Sequence, residues 1–349
     1  MTSMTSWRGL SLFNKIVFLV NGFVALPLFL ASFTPYVPIH KFPALSFLGL
    51  AVPVLVVANL IFVIYWLLSH RRFALLSVIV LVIGFFALGN FIRPPFAGNE
   101  NLDEQDLRIM TFNVRGFNGY KDMDDKAINL ATEAFVIGEN ADIVCLQEVG
   151  NIDKDEYTTY PYRYVQNSRD YERVRLGILS KYPIIDAQIL NFPDTYNSGS
   201  YADILYKNDT LRIYSLHLQS LGITPGKGVI KSSSSEKLYK QLTGFFKKQE
   251  DQAKYVVEHA SWVNYKTIIC GDFNNSQFSR TYKILHQNRS DSFKEQGQGY
   301  GRTFIFHGVP VRIDFILADP QLEVTGHKNY DIEYSDHFPI MASFRLNGE

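Results

Sequence analysis

The sequence predicts an α/β domain built as a sandwich of β-sheets, preceded by a membrane segment made of helices. Three observations lead to this prediction. The first hundred residues contain three uncharged apolar stretches, the rest of the chain has the mixed composition of a soluble domain, and its apolar strand-like runs repeatedly end in polar side chains. At about 250 residues, this second part is long enough to bury one large core.

Charge divides the chain at the same place. Residues 1–100 hold six of the 34 basic residues and one of the 34 acidic residues, which leaves 28 basic and 33 acidic side chains for residues 101–349. The second part is therefore net acidic. Proteins that grip duplex DNA neutralise its phosphates with Lys and Arg, so this charge balance disfavours that class of partner.

Three apolar stretches predict transmembrane helices at residues 16–33, 45–68 and 73–92, because each is close to the roughly 20 apolar residues that a span requires. The first stretch could instead be a cleaved signal peptide, with Arg8 and Lys15 before it. Two more spans follow directly, which favours an uncleaved helix. We expect residues 1–93 to form a membrane anchor and residues 94–105, rich in Pro, Gly and acidic residues, to form a linker.

Basic residues around the spans predict their sidedness. The short loop "SHRR", residues 69–72, and the N-terminus with Arg8 and Lys15 belong in the cytoplasm by the positive-inside rule, although Lys41 and Arg93 lie on the other side. Three spans then place residues 93–349 outside. In a Gram-negative cell this predicts an integral inner-membrane protein whose larger domain lies in the periplasm.

The soluble part opens with a run typical of a strand. "LRIMTFNV" alternates in polarity and delivers Asn113 to its carboxyl end. Residues 124–139 then have apolar side chains at helical spacing. "DIVCLQEV" predicts a buried strand that ends in Gln147 and Glu148, and a glutamate there is costly to bury unless it binds something.

Four later runs repeat this design. "LRIYSLHLQS", "KTIICGDFNN", "VRIDFILAD" and "YSDHFPI" deliver His217, Asp272, Asn274, Asp314, Asp336 and His337. Each run alone has an ordinary interpretation, such as a hydrogen-bonded core histidine or a turn. Their repetition favours strand ends that converge on one site. Oxygen ligands suit a hard cation such as Mg²⁺, and two histidines suit proton transfer near neutral pH.

Six motifs in this order resemble the endonuclease/exonuclease/phosphatase superfamily: "FNVRGFN", "LQEV", "SLHLQS", "GDFNN", "RIDFIL" and "SDHFPI". The resemblance covers residues 106–346. It implies a four-layer α/β sandwich over residues 106–349, in which two mixed β-sheets pack face to face with helices outside. It also implies a metal-dependent hydrolase acting on phosphoric esters.

The resemblance assigns roles to the matching positions. Glu148 is implied as the main Mg²⁺ ligand, with Asn113 beside it and Asp336 on the metal-side face, and Mn²⁺ is a second candidate metal. The catalytic set implied is His217 as a donor to a phosphate oxygen, Asp272 and Asn274 positioning water and phosphate, and His337 as general base or second donor oriented by Asp314. Arg312 is a further candidate for substrate binding, together with His217 and Asn274.

These roles predict a membrane-anchored, Mg²⁺-dependent phosphoesterase that hydrolyses a phosphodiester or phosphomonoester. The substrate could be lipid-linked, a small molecule or nucleic acid, and the anchor and the acidic domain favour the first. A nuclease is one alternative, and a catalytically inactive binding domain on a membrane anchor is another. The lipid bilayer is the expected partner, and no protein partner can be inferred.

The segment after His217 is long and locally basic. Leu238, Leu242 and Phe245 lie on one predicted helical face beside lysines, which is typical of a surface that touches lipid headgroups. The alternative is a solvated loop followed by a helix.

Overall fold

The computed structural model describes residues 7–117, 124–150, 152, 155–165, 175–222, 235–306 and 308–346. The chain divides into two units. The first comprises Met1–Asn90 with Gln277–Lys283, and the second comprises Phe91–Ser276 with Ile284–Glu349.

The first unit contains three apolar helices, α1 (Leu12–Ala31), α2 (Ala44–Ser69) and α3 (Leu75–Leu88). A 3₁₀ turn, Arg71–Ala74, leads into α3. All three are long and apolar enough to cross a membrane. Large apolar side chains such as Phe23, Ile61 and Phe86 are exposed on them, as is typical of surfaces that face lipid.

A buried polar network joins these helices. The Asn21 amide donates to the Ser77 hydroxyl (2.6 Å), which donates to the Asn59 side-chain oxygen (2.9 Å), and the Trp66 indole donates to the Asn21 oxygen (3.0 Å). Each helix contributes a polar group, and all four side chains are fully buried. Such hydrogen bonds hold apolar helices in one register, where lipid and side chains are equally apolar.

Over its described residues, the second unit has two six-stranded mixed sheets and a two-stranded hairpin. The first sheet has the strand order β13-β14-β1-β2-β4-β3, the second β5-β6-β7-β8-β12-β9, and β10 pairs with β11. The strands are β1 (Leu107–Asn113), β2 (Ile143–Val149), β3 (Tyr162–Val165), β4 (Arg175–Ser180), β5 (Ile184–Asn191), β6 (Ser198–Tyr206), β7 (Asp209–His217), β8 (Lys266–Asp272), β9 (Ser290–Asp291), β10 (Phe304–Phe306), β11 (Val309–Val311), β12 (Asp314–Ala318), β13 (Leu322–Asn329) and β14 (Ile340–Leu346).

The two sheets pack face to face, and helices cover their outer faces. Alternation along β1 sends Ile109 into the core between the sheets and Met110 into the core outside the first sheet. Helix α4 (Asp125–Glu139) contributes Val136 to that outer core. The second sheet is covered by α5 (Ser235–Ala260), whose inner face is buried. The shorter helices are α6 (Arg280–His286) and α7 (Ser292–Gln296). This four-layer α/β sandwich confirms the predicted fold class.

The predicted lipid-facing side of α5 is partly buried. Leu242 is buried, as are Phe246, Ala253 and Val256 on the same helix. The Tyr214 hydroxyl on β7 hydrogen-bonds the His259 ring near the end of α5 (2.8 Å). Leu242 therefore packs into the domain, whereas Leu238 and Phe245 are half-buried. Residues 223–234 of the basic segment after His217 lie outside the described residues.

The segment expected to be a linker is part of the second unit, and it and the preceding Arg93 are hydrogen-bonded within that unit. Arg93 and Gly299 exchange two backbone hydrogen bonds (2.8 and 2.9 Å), and the Arg93 guanidinium donates to the Glu295 carbonyl (2.9 Å). The backbone N–H of His327 donates to the Asn99 carbonyl (2.8 Å). These contacts hold the start of the segment against α7 and β13.

Candidate active site

Strand register alone aligns three of the predicted site residues. In the second sheet, His217 on β7 is paired with Asp272 on β8, and Asp272 is paired with Asp314 on β12. In the first sheet, Asn113 at the end of β1 is paired with Gln147 on β2, and Glu148 follows. Parallel pairing of β1 with β2 and of β7 with β8 brings carboxyl ends together, so the polar residues that end these strands meet.

The backbone is unusual where these side chains leave the sheets. Glu148 lies at a β-bulge with φ +52°, and Asn274 has φ +50°. Gly271 has φ +127°, and a Cβ there would lie 2.1 Å from the Leu216 carbonyl oxygen. Only glycine allows β7 and β8 to approach this closely beside Asp272. Strained conformations of this kind concentrate at functional sites.

Asp272 lies at the centre of the cluster and is 1 % exposed. Its Oδ1 accepts a hydrogen bond from the Asn274 backbone N–H (2.7 Å), and its Oδ2 accepts one from the Asn113 amide (3.1 Å). The same Oδ2 lies 3.7 Å from His217 Nε2 and 3.6 Å from His337 Nε2. The two imidazoles therefore flank one carboxylate oxygen.

His337 is held by a second carboxylate. Its Nδ1 donates to Asp314, with Oδ distances of 3.0 and 3.2 Å. The ring of Phe304 packs against the imidazole at a centroid distance of 4.8 Å. The Ser335 hydroxyl donates to the Asn113 carbonyl (2.8 Å) and accepts from the His337 backbone N–H (3.3 Å). The loop that carries His337 is thereby tied to the end of β1.

Glu148 forms the open edge of the cluster. Its side chain is 31 % exposed, against 1 % for Asp272 and 4 % for His217. Its Oε1 accepts from the Asn113 amide (3.2 Å) and lies 3.6 Å from His217 Nε2. Asn113 bridges the two carboxylates with its amide nitrogen, while its oxygen accepts from the Arg115 backbone N–H (3.0 Å).

The carboxylates determine the charge on His337. Burial alone disfavours its charged form, but Asp314 and Asp272 outweigh burial and raise the pKa of His337 to about 10. Burial raises the pKa of Asp272 to about 6, while the charge of His337 opposes this rise. At neutral pH His337 is therefore an imidazolium beside two carboxylates.

Burial is the largest cause of the pKa shifts of the other two groups, His217 and Glu148. Burial lowers the pKa of His217, with Asp272 opposing, so this imidazole is neutral at pH 7. Its Nε2 faces two carboxylates, which favours the tautomer that carries the proton there. Burial raises the pKa of Glu148, against the hydrogen bond from Asn113.

Two parts of the cluster could hold a divalent metal ion. Asp272, Asp314 and His337 present ligand atoms within 4.8 Å of one another, and all three are buried. However, the His337 Nδ1 is committed to Asp314, and both oxygens of Asp272 already accept hydrogen bonds. A hard cation that retains several waters requires an opening, and Glu148 provides the most exposed carboxylate among these residues.

Two other predicted residues are placed differently. Asp336 lies at the edge of the cluster, with its Oδ2 3.7 Å from the Arg115 Nε and its Oδ1 near the Ser335 hydroxyl (3.3 Å). Arg312 makes a bidentate ion pair with Asp291, both N–O distances being 2.9 Å, and is 6 % exposed. This geometry does not support the expectation that Arg312 binds substrate, because its guanidinium is buried in a pair that joins β9 to the segment between β11 and β12.

The structure adds residues that the sequence analysis did not identify. Arg115 places a cation at the edge of the cluster, inside the "FNVRGFN" motif. Gln147 is fully buried and donates to Thr111 and to Ser215 on the facing sheet (3.1 Å each). A polar residue within an otherwise apolar strand was the signal for Gln147. No spacing pattern in the sequence distinguishes Arg115 as a site residue.

A sandwich of two mixed sheets, with carboxylates and imidazoles gathered where their strands end, defines a class of metal-dependent hydrolases of phosphoric esters. The chain belongs to the Endonuclease/Exonuclease/phosphatase family, whose model matches residues 110–337. It is a metal-dependent hydrolase that acts on ester bonds. Residues 14–91 match a second family, described as a Domain of unknown function (DUF8431).

Solved structures share the fold. A humanized D. rerio TDP2 is 16 % identical with a TM-score of 0.54, and the match covers 70 % of this chain and 100 % of that one. The endonuclease/exonuclease/phosphatase of Bacteroides vulgatus is 17 % identical with a TM-score of 0.54, over 69 % and 99 % of the two chains. D. rerio TDP2 complexed with a single strand DNA product is 17 % identical with a TM-score of 0.53, over 70 % and 100 %. Among curated proteins, none matches this chain.

Proposed function

We propose that this protein is a membrane-anchored, Mg²⁺-dependent phosphoesterase that hydrolyses a phosphodiester or phosphomonoester by attack of water. One observation carries the proposal. A neutral and a charged imidazole lie 3.7 and 3.6 Å from the same buried oxygen of Asp272, next to a partly exposed Glu148. Carboxylates for a metal and donors for an anion are the two requirements of phosphoester hydrolysis.

The residues present fit a Mg²⁺ ion at Glu148. Its carboxylate is a hard oxygen ligand at the solvent-facing edge of the cluster, and Asn113 orients it from the inner side. Asp336 lies on the same side and interacts electrostatically with Glu148. When bound, a divalent cation would neutralise charge on the non-bridging phosphate oxygens and act as a Lewis acid. Mn²⁺ has the same ligand preferences and is the second candidate.

His337 and His217 act as hydrogen-bond donors in this proposal. The imidazolium of His337 donates through Nε2 to a phosphate oxygen, and Asp314 holds the ring and its charge. Neutral His217 donates through Nε2 from the other side of Asp272. The raised pKa of His337 favours a donor role over that of a general base, since a base must be unprotonated at working pH.

Asp272 and Asn274 orient the attacking water and the phosphate. Asp272 is ionised above pH about 6 and is fixed by the Asn274 backbone N–H, so its carboxylate can accept a proton from water. The Asn274 side-chain nitrogen donates to the Leu218 carbonyl (3.0 Å). This hydrogen bond fixes the orientation of the amide, so that its oxygen points away from Leu218. Positioning of this kind converts binding energy into rate.

The bilayer is the proposed partner of the first unit. Three candidate spans and the basic residues 69–72 support an inner-membrane anchor with the catalytic unit on the periplasmic side. A lipid-linked or small phosphoester is the favoured substrate, because the net acidic residues 101–349 disfavour duplex DNA. A nuclease of single strands is the second candidate, supported by the fold shared with a TDP2 that is complexed with a single strand DNA product.

A substrate panel tests the proposal. The full chain in detergent micelles is given bis(4-nitrophenyl) phosphate, sphingomyelin, phosphoinositides, single-stranded DNA and RNA, each with Mg²⁺ or with EDTA. We expect Mg²⁺-dependent hydrolysis of the chromogenic diester and of a lipid substrate. Faster cleavage of DNA or RNA would favour the nuclease. Absence of hydrolysis throughout, in a chain with a cooperative thermal melt, would favour an inactive binding domain.

A further inference from the structure

Helix α5 carries two buried amides one turn apart on its inner face. Gln249 is 0 % exposed and Gln252 is 4 % exposed. A glutamine side chain has two donors and one acceptor oxygen, and burial is costly unless they are used. Gln249 contacts the loops that follow β7 and β8, and Gln252 contacts the first of them. Those two strands end in His217 and Asp272.

Gln249 joins the two loops to each other. Its Nε2 donates to the Gln219 carbonyl in the loop after β7 (2.7 Å) and to the Asn274 carbonyl in the loop after β8 (3.1 Å). Its Oε1 accepts from the Asn275 amide (2.7 Å). One buried side chain therefore holds two backbone carbonyls and one side-chain amide in the two loops.

The Asn274 contact matters because that residue is conformationally demanding. Its φ of +50° is uncommon outside glycine, and its backbone N–H is the group that holds Asp272 Oδ1 (2.7 Å). Its side chain donates to the Leu218 carbonyl (3.0 Å). Holding the Asn274 carbonyl fixes the orientation of the peptide that follows it, and so holds the turn in its left-handed conformation.

We infer that Gln249 is a positioning residue, which acts through Asn274 to hold the Asp272 carboxylate and the loop after His217 in their reactive arrangement. The inference rests on the proposed catalytic roles of Asp272 and Asn274. Gln249 is fully buried and contacts Asn274 through its backbone carbonyl, so its effect should appear in the rate of the chemical step more than in substrate binding.

Gln252 supplies the matched control. It lies on the same helix face with nearly the same burial, and its Oε1 accepts from the Gln219 backbone N–H (2.9 Å). This hydrogen bond reaches the loop after β7 and not the loop after β8. Replacing either glutamine by methionine keeps the chain length of the side chain and removes its hydrogen bonds.

The first measurement is steady-state kinetics of the full chain in detergent, with bis(4-nitrophenyl) phosphate and Mg²⁺. Gln249→Met should lower kcat by about 10- to 100-fold, as expected for a small displacement of reacting groups. Its KM should change by less than about 3-fold. Gln252→Met should stay within about 3-fold of the wild-type kcat. Equal losses in both variants would overturn the inference, because they would indicate a structural role.

A double-mutant cycle with Asp272→Ala tests whether the effect passes through the Asp272 carboxylate, since Gln249 and Asp272 contact the backbone carbonyl and N–H of Asn274. If it does, Gln249→Met should cost little further kcat in the Asp272→Ala background. Losses that multiply would overturn the inference. If Asp272→Ala alone has wild-type activity, the catalytic role proposed for Asp272 fails, and this outcome is distinct from failure of the Gln249 inference.

Hydrogen–deuterium exchange gives a readout that does not depend on activity. Gln249→Met should raise exchange in peptides spanning residues 272–276 and 218–222, whereas Gln252→Met should raise it only in the second. Gln249→Glu keeps the size of the side chain and removes at least one of the two donated hydrogen bonds, so it should show the same pattern if Gln249→Met does not fold. Unchanged exchange at residues 272–276 in a folded variant would contradict the inference.

Discussion

At the scale of single residues, the charge on each side chain depends on the groups around it. His217 and His337 have the same chemistry and flank the same oxygen of Asp272. Burial lowers the pKa of His217, while two carboxylates outweigh burial at His337 and raise its pKa to about 10. One imidazole is therefore neutral and the other charged at pH 7, which suits donors of different strength to one phosphate.

Substitutions of Glu148 and of His337 should lower the hydrolytic activity in different ways. Glu148→Gln keeps size but removes the negative charge proposed to hold Mg²⁺, so its activity should recover when Mg²⁺ is raised at least about 10-fold. His337→Ala leaves Glu148 in place, so its loss of about 10²–10⁴ in rate should persist at every Mg²⁺ concentration. The measurement is the rate of diester hydrolysis across a Mg²⁺ titration.

Asp251→Asn is the control for these two variants, since it removes an exposed carboxylate from α5. It should leave the titration unchanged. Rescue of His337→Ala by Mg²⁺ to the same degree as Glu148→Gln would contradict the assigned roles.

His327 should make the catalytic unit less stable in acid. Burial lowers its pKa to about 4, with Asp291 opposing and Arg312 adding to the effect. Because the folded pKa lies below the unfolded value of 6.5, the unfolded chain binds the extra proton between these two values. This contribution to stability is present above pH 6.5 and is lost as the pH falls toward 4. Between pH 7 and pH 5 the loss is about 2 kcal/mol.

Urea unfolding of the full chain in detergent at several pH values measures this effect. Trp262 reports on the second unit once Trp7 and Trp66 are replaced by Phe. The free energy of unfolding should fall less steeply below pH 7 in His327→Asn than in the parent, because asparagine does not titrate. The same slope in both proteins would show that His327 is not responsible.

At the scale of elements, the close approach of β7 and β8 controls where Asp272 points. Gly271 occupies the one position in β8 where a Cβ would meet the Leu216 backbone, with its carbonyl oxygen at 2.1 Å and its nitrogen at 2.7 Å. Those are backbone atoms, which cannot move without breaking the pairing of His217 with Asp272. The glycine is therefore part of the active-site architecture.

Gly271→Ala should destabilise the chain by more than about 3 kcal/mol, because it combines a left-handed conformation with a backbone clash. Gly244→Ala is the control, since it lies inside α5 with nothing within 4 Å of the added Cβ. The control should stabilise α5 by about 0.5–1 kcal/mol through helix propensity. Thermal melts of the two variants measure the difference, and similar melting temperatures would be contrary to expectation.

At the scale of the whole molecule, the distribution of basic residues predicts which side of the membrane holds the catalytic unit. Residues 69–72 contain two arginines between α2 and α3, and Arg8 and Lys15 lie at the N-terminus. Three candidate spans separate the N-terminus from residues 93–349. A cytoplasmic N-terminus then requires an exported C-terminus.

Reporter fusions test this arrangement. A phosphatase that is active only after export should work when fused after Glu349 and fail when fused within residues 69–72. A reporter that works only in the cytoplasm should show the reverse pattern. A cytoplasmic reporter active after Glu349 would place the catalytic unit inside the cell, and would limit its substrates to the cytoplasmic leaflet and soluble cytoplasmic molecules.

Much of the fold could be read from local patterns. The apolar stretches at residues 16–33, 45–68 and 73–92 correspond to α1, α2 and α3 within a few residues, because length and composition alone define such helices. Strands such as β1, β2 and β8 follow apolar runs that end in polar groups. The burial of Leu242 on α5 was not predicted, since an amphipathic helix shows which side is apolar and not what that side packs against.

By itself, the sequence determined where several strands lie along the chain, the positions of their polar ends and the family to which those motifs belong. Only the tertiary structure decided which polar groups meet. Asn113 and Asp272 are 159 residues apart in the sequence and share a hydrogen bond. Arg312 forms an ion pair with Asp291. Gln249 contacts two loops from the helix that lies between them in the sequence. The tertiary structure also decides which side chains are protonated, because a pKa depends on burial and on charges that are near in space. Neither can be read from the spacing of residues along the chain.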